Sequence, residues 1–132
     1  MPAEMSTELH LLVWSVALCI VQMLVAVLTA LPQVGLPALA GNRDPALDLT
    51  GLAGRAQRAH RNMLENLVLF AALVLVAQAA GRTNDMTATG AQLFFWARLV
   101  YAAIYLAGLP WLRTGAWAVS MIGIVLIFLQ VI

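Results

Sequence analysis

The sequence predicts an all-α integral membrane protein, a four-helix up-down bundle built as one domain over residues 1–132. Three observations carry this prediction. Hydrophobic residues fill 63% of the chain and charged residues only 10%, where a soluble domain has roughly a quarter charged. Four apolar runs match the ~20 helical residues that a ~30 Å hydrocarbon core requires. The links between the last three runs are short, which makes consecutive helices antiparallel neighbours.

The first helix is expected over residues 8–31, uncharged after Glu8 and interrupted only by His10, Gln22 and small hydroxyl residues. Glu4 and Glu8 stand where a cleavable signal peptide would be basic, so this run is a retained span. Residues 32–52 hold Pro32, Pro37, Pro45, Gly35, Gly41 and Gly51, a helix-breaking composition that predicts a long loop. The second helix is expected over 53–80, closed by Gly81 and the turn Arg82-Thr83-Asn84-Asp85. The third runs over 87–109 and ends at Pro110, and the fourth over 114–131. Arg43, Arg55, Arg58 and Arg61 border the long loop and Arg113 the third connection, whereas the other side has Arg82 alone. Basic residues favour the cytoplasmic side, which places both termini outside and loop 32–52 in the cytoplasm. Trp14, Trp111 and Trp117 fit interfacial anchoring, and Trp96 lies too deep for it.

The net charge of +1 leaves no basic stripe for phosphates, which excludes a nucleic-acid partner. All seven basic residues are arginine, the side chain suited to bidentate carboxylate recognition. Cys19 is the only cysteine, which rules out an internal disulfide or a multi-cysteine metal centre, and no metal is expected. Its expected role is packing. Gln22, Gln78 and Gln92 are expected to hydrogen-bond between helices, and Asp44 and Asp48 to be solvated loop charges.

A polar constellation interrupts the second and third helices. Arg58, Arg61, Asn62 and Glu65 fall at i, i+3, i+4 and i+7, one helical face, and His60 points elsewhere. At ~1.5 Å per residue Glu65 lies roughly 16 Å below Gly54, where a lone carboxylate is costly. Arg98, Tyr101 and Tyr105 form a second stripe, and Arg98 is as far from Leu109 as Glu65 is from Gly54. Equal depth predicts an Arg98–Glu65 ion pair with the tyrosines lining the same cleft. A purely structural pair would need fewer cations. The excess suits a small anion, such as one with two carboxylates and one ammonium. Glutathione is such a molecule, and another organic anion would serve as well. A thiol beside Arg113 would be held as thiolate, with Thr114 as a second donor.

The segment Arg55-Ala-Gln-Arg58-Ala-His60-Arg61-Asn62-Met-Leu-Glu65-Asn66 resembles the signature of the MAPEG family, membrane-associated proteins in eicosanoid and glutathione metabolism. The likeness continues through Phe94-Phe95-Trp96-Ala97-Arg98, Tyr101 and Tyr105 to Leu112-Arg113-Thr114, and is nearest to the glutathione-transferase and prostaglandin-synthase branches. It implies a homotrimer with glutathione bound between subunits. Arg58, Arg61, Asn62, Glu65, Arg98, Tyr101 and Tyr105 would hold glutathione, and Arg113 and Thr114 would be catalytic. The resemblance places His60 in the motif, with a packing or loop contact as its role. Some members carry a basic residue late in the first helix, whereas residues 9–42 here have none.

The expected function is a membrane glutathione transferase, with glutathione-dependent peroxidase activity as a variant, joining the thiolate to a hydrophobic small-molecule substrate from the lipid bilayer. The alternatives are a non-catalytic lipid-binding or scaffolding protein of the same fold, and a small four-helix transporter, which the cationic character of the buried residues disfavours. The Ala- and Arg-rich, lysine-free composition points to a bacterial inner membrane.

Overall fold

The computed structural model describes residues 4–43 and 47–132, and Asp44 and Pro45 lie outside them. Among the described residues there are four helices: α1 (Thr7–Ala40), α2 (Gly51–Ala79), α3 (Asp85–Ala107) and α4 (Pro110–Val131). All four are long and apolar enough to cross a membrane. Even the shortest, at 22 residues, extends about 33 Å.

The helices alternate in direction, as their end contacts show. Ser6 at the head of α1 donates to Gln78 at the foot of α2, and Asn84 at the head of α3 donates to Gln130 at the foot of α4. At the opposite end the Arg55 Nε–H donates to the Leu106 carbonyl, joining the head of α2 to the foot of α3. Among the described residues α2 and α3 touch each other and both flanking helices, while α1 and α4 do not meet. The core therefore lies along the α2–α3 diagonal, where the Phe70 and Phe94 rings stack at 4.1 Å with Met63, Val74, Ile124 and Ile127 around them. Cys19 is buried in the same cluster, the packing role expected of it.

The helix boundaries differ from the sequence expectation at three points, each for a local reason. Pro32 does not end α1. The helix carries it as an internal residue and breaks at Gly35, whose φ of 79° and ψ of 161° suit glycine, before Leu36–Ala40 complete the helix. The predicted loop 32–52 thus shortens to residues 41–50. Helix α3 starts two residues early because Asn84 and Thr87 form a reciprocal capping box. Pro110 starts α4 instead of ending α3, because Gly108, at φ 80°, has already capped α3 and proline is favoured at the first helical position.

Two packing features hold the end that carries the termini. Glu8, counted as a terminal charge in the sequence, is buried with its carboxylate 3.1 Å from the Thr87 hydroxyl. Nearer mid-helix, Gly90 and Gly123 let α3 and α4 touch backbone to backbone, and a Cβ at Gly90 would stand 2.6 Å from the Gly123 carbonyl. Trp96 is exposed at its depth, and its indole N–H is satisfied within α3 by Gln92 at 2.9 Å. Gln92 thus bonds within its own helix, whereas Gln78 does join two elements.

Candidate functional site

At the other end of the bundle, the head of α2 is fixed from both sides. Gln33 of α1 accepts from the Thr50 N–H at 3.0 Å and donates to its carbonyl at 2.8 Å. Gly54 packs so closely that a Cβ there would meet the Leu49 carbonyl at 2.8 Å. Ala53, Ala56 and Ala59 are buried on the inner face, and their small size lets α2 approach its neighbours. Arg58 and Asn62 then flank α3, and the Arg58 Nε–H donates to the Tyr105 hydroxyl at 3.2 Å.

Along α3 and α4 the cations and rings alternate. The Arg113 guanidinium lies 4.4 Å above the Tyr105 ring, Tyr105 meets Tyr101 edge to face at 5.6 Å, and the Arg98 guanidinium lies 4.0 Å above Tyr101. The Tyr105 ring face holds the Arg113 guanidinium and leaves its hydrogens available to an anion. Asn62, Tyr101, Arg113, Thr114 and Trp117 surround a cleft of about 130 Å³. Five of the nine predicted residues, Arg58, Asn62, Tyr101, Tyr105 and Arg113, thereby converge, with Arg98 behind Tyr101 and Thr114 on the rim.

Arg61 and Glu65 do not join them. Both are exposed, because Ala59, Met63, Asn66, Phe70 and Val74 take the core face of α2 and turn this stripe outward. The expected Arg98–Glu65 ion pair is accordingly absent. Arg98 points inward at 1% exposure, and none of its three guanidinium nitrogens has a hydrogen-bond partner among the described residues. Depth was shared, but azimuth was not. Thr114 also differs from expectation: its hydroxyl donates to the Pro110 carbonyl at 3.2 Å, so it must rotate to donate to a ligand.

Two residues outside the nine predicted ones also shape the site: Trp117, which lines the cleft, and Arg55, which ties α2 to α3. With α4 starting at Pro110, Trp117 falls four residues after Arg113 and three after Thr114, on the same helical face. The early start has a second consequence. Arg113 and Thr114 lie in the opening turns of α4, whose N-terminal amides favour negative charge. His60 faces α1, away from the cleft, and lines a separate cavity with residues of α1 and of the loop. Asp48 is an exposed loop residue, and Asp44 lies outside the described residues.

Comparison with known proteins gives one match. The profile of the MAPEG family matches residues 11–132. No curated protein and no solved structure matches the chain.

Proposed function

Because the chain belongs to the MAPEG family, we propose that it is a membrane glutathione transferase that joins a glutathione thiolate to a lipophilic electrophile. The observation that carries this reading is Arg113, seated on Tyr105 at the head of α4 with Asn62, Tyr101 and Trp117 around it. A thiol in this cleft meets one guanidinium and the positive end of one helix, both of which favour its anion over its neutral form. The thiol proton leaves to water. The sulfur electron pair then forms a C–S bond to the electrophile, which expels its leaving group with the displaced pair or, at a polarised double bond, takes a proton from water. Trp117 gives the apolar partner a ring to rest against, and the effect is that of two reactants held close in a polarised site.

The same surface supports a reading as an oligomer. The cleft of about 130 Å³ is below the ~300 Å³ of ordinary small-ligand pockets, so one subunit supplies only part of the glutathione site. The exposed Arg61 and Glu65 lie on a membrane-spanning helix, where lipid is a poor partner for either charge. A second copy covers them, and three copies close the ring. Glutathione carboxylates are taken by Arg58 and Arg61, its ammonium by Glu65. We place the assembly in a bacterial inner membrane with loop 41–50 cytoplasmic.

The test is glutathione titration of detergent-purified protein followed by ultraviolet thiolate absorbance. Saturable binding with a thiolate band is the expected result, and binding without that band would leave a non-catalytic member of the family. Arg98→Met gives an independent check, since it removes a buried cation that has no hydrogen-bond partner among the described residues while keeping a similar apolar stem. The ligand-free variant should be as stable as the parent or more so, by about 1–3 kcal/mol. Glutathione should raise its thermal midpoint less than it raises that of the parent. An unchanged glutathione-dependent shift would remove Arg98 from the ligand set.

A further inference from the structure

A second cavity lies on the opposite face of α2 and takes up the residue of the Arg58–Glu65 motif that the glutathione site leaves unused. His60 and Gln57 line it from α2, Met23, Val27 and Ala30 from α1, and Arg43 from the start of the loop, around a volume of about 220 Å³. Leu39 lines it as well. On a straight helix Met23 and Leu39 would stand about 24 Å apart. The break at Gly35 folds the last turn of α1 back toward α2, and the cavity is the space enclosed.

Its walls differ in chemistry. The α1 wall is aliphatic and belongs to a helix long and apolar enough to cross a membrane. The facing α2 wall carries the His60 imidazole and the Gln57 carboxamide, and the loop adds the Arg43 guanidinium. Arg43 is set in an unusual conformation to be there: at φ 58° it is the one non-glycine residue among those described in the left-handed region. Its Nε and Nη2 both donate to the Leu39 carbonyl, at 3.1 and 2.9 Å, which fixes the fork and uses two of its five N–H donors. A strained, anchored cation at the mouth of an apolar slot is the arrangement that an anionic amphiphile requires.

We propose that this cavity is a binding site for an anionic phospholipid of the surrounding bilayer, with the phosphate on Arg43 and His60 and the upper part of one acyl chain between α1 and α2. The volume takes only the upper part of one chain, with its remainder and the second chain left in the bilayer along the exposed face of α1, where Leu24 and Leu28 lie. The bilayer is the source because the four spans place the cavity in it and because this end of the bundle bears Arg43, Arg55, Arg58, Arg61 and Arg113. Such clusters face the leaflet rich in anionic lipid.

The experiment is native mass spectrometry of the full chain released from phosphatidylcholine nanodiscs containing a minority of phosphatidylglycerol. The parent should retain phosphatidylglycerol several-fold above its share. Arg43→Ala with His60→Ala should bring retention down to that share, and Arg43→Lys should keep most of the preference. Val27→Phe, which fills the slot at a position 45% exposed and so leaves the core untouched, should lower retention with the cations intact. Arg113→Ala should retain the lipid as the parent does, which separates this site from the glutathione cleft. Equal retention of the two lipids, a preference that survives the double substitution or the filled slot, or full displacement by added oleate would each overturn the assignment, the last in favour of a free acyl anion.

Discussion

Arg113→Ala is expected to keep the fold and lose the chemistry. The side chain is half-buried at the head of α4 and touches Tyr105 through its ring face, a contact worth about 0.5–1 kcal/mol at such a site. Its loss leaves the helix and its glycine-packed partner in place. The effect on sulfur is much larger. Withdrawal of one opposite charge at close range raises a thiol pKa by about 1–3 units, so a bound thiol should return toward the ~8.5 of a free one. Turnover should fall by about 10²–10³-fold, the usual cost of removing one preorganised stabiliser of a reacting anion. Arg113→Lys should fall between the two, since it keeps the charge but not the planar fork. The checks are thiolate absorbance and initial rates with an electrophilic nitroaryl substrate. Full activity in Arg113→Ala would remove the residue from the mechanism.

Much of this site was legible in the sequence because its two ingredients, polarity and depth, are both one-dimensional. A run of apolar residues with Arg98, Tyr101 and Tyr105 at helical spacing can only be a membrane helix with one polar stripe, and α3 has that stripe buried. Rotation of a helix about its axis is not one-dimensional. The azimuth of α2 is decided by Met63, Phe70 and Val74, which pack into one core with Phe94 and Ile127, and that packing turns Glu65 away from Arg98. Proline was similarly ambiguous. Pro32 and Pro110 both signal a helix end in a linear reading, yet one is carried inside α1 and the other opens α4, because Gly35 and Gly108 take the positive-φ positions where the chain turns.

The other large effect lies in the α3–α4 contact. Gly123→Leu should separate the two helices, since its Cβ alone would collide with the Gly90 carbonyl and stand 2.9 Å from the Phe94 backbone nitrogen. Both obstacles are backbone and cannot rotate aside. Overpacking of this kind costs about 1–3 kcal/mol, and here it also lifts Ile124 and Ile127 out of the core they share with Phe94. A fall in thermal midpoint of many degrees in detergent is the expected readout. Gly115→Ala is the control on the same helix: a Cβ there meets nothing within 4 Å, so the better helix former should leave stability unchanged or raise it by up to ~1 kcal/mol. Equal behaviour of the two variants would mean that α3 and α4 are not packed through their glycines.

The α3–α4 connection consists of Gly108 and Leu109 alone. That brevity decides where the chain can change length. An inserted residue between α3 and α4 would displace Pro110 from the tight turn that Gly108 sets at φ 80° and carry Arg113 off the ring that seats it, so this join is closed to insertion. Insertions between residues 41 and 48 would leave the Gln33–Thr50 hydrogen bonds at the head of α2, and with them the Arg113 cleft, where they are. Variation that acquires new segments, or a fusion made by design, has one tolerant seam on this face of the membrane, and it runs beside the lipid cavity instead of the thiol.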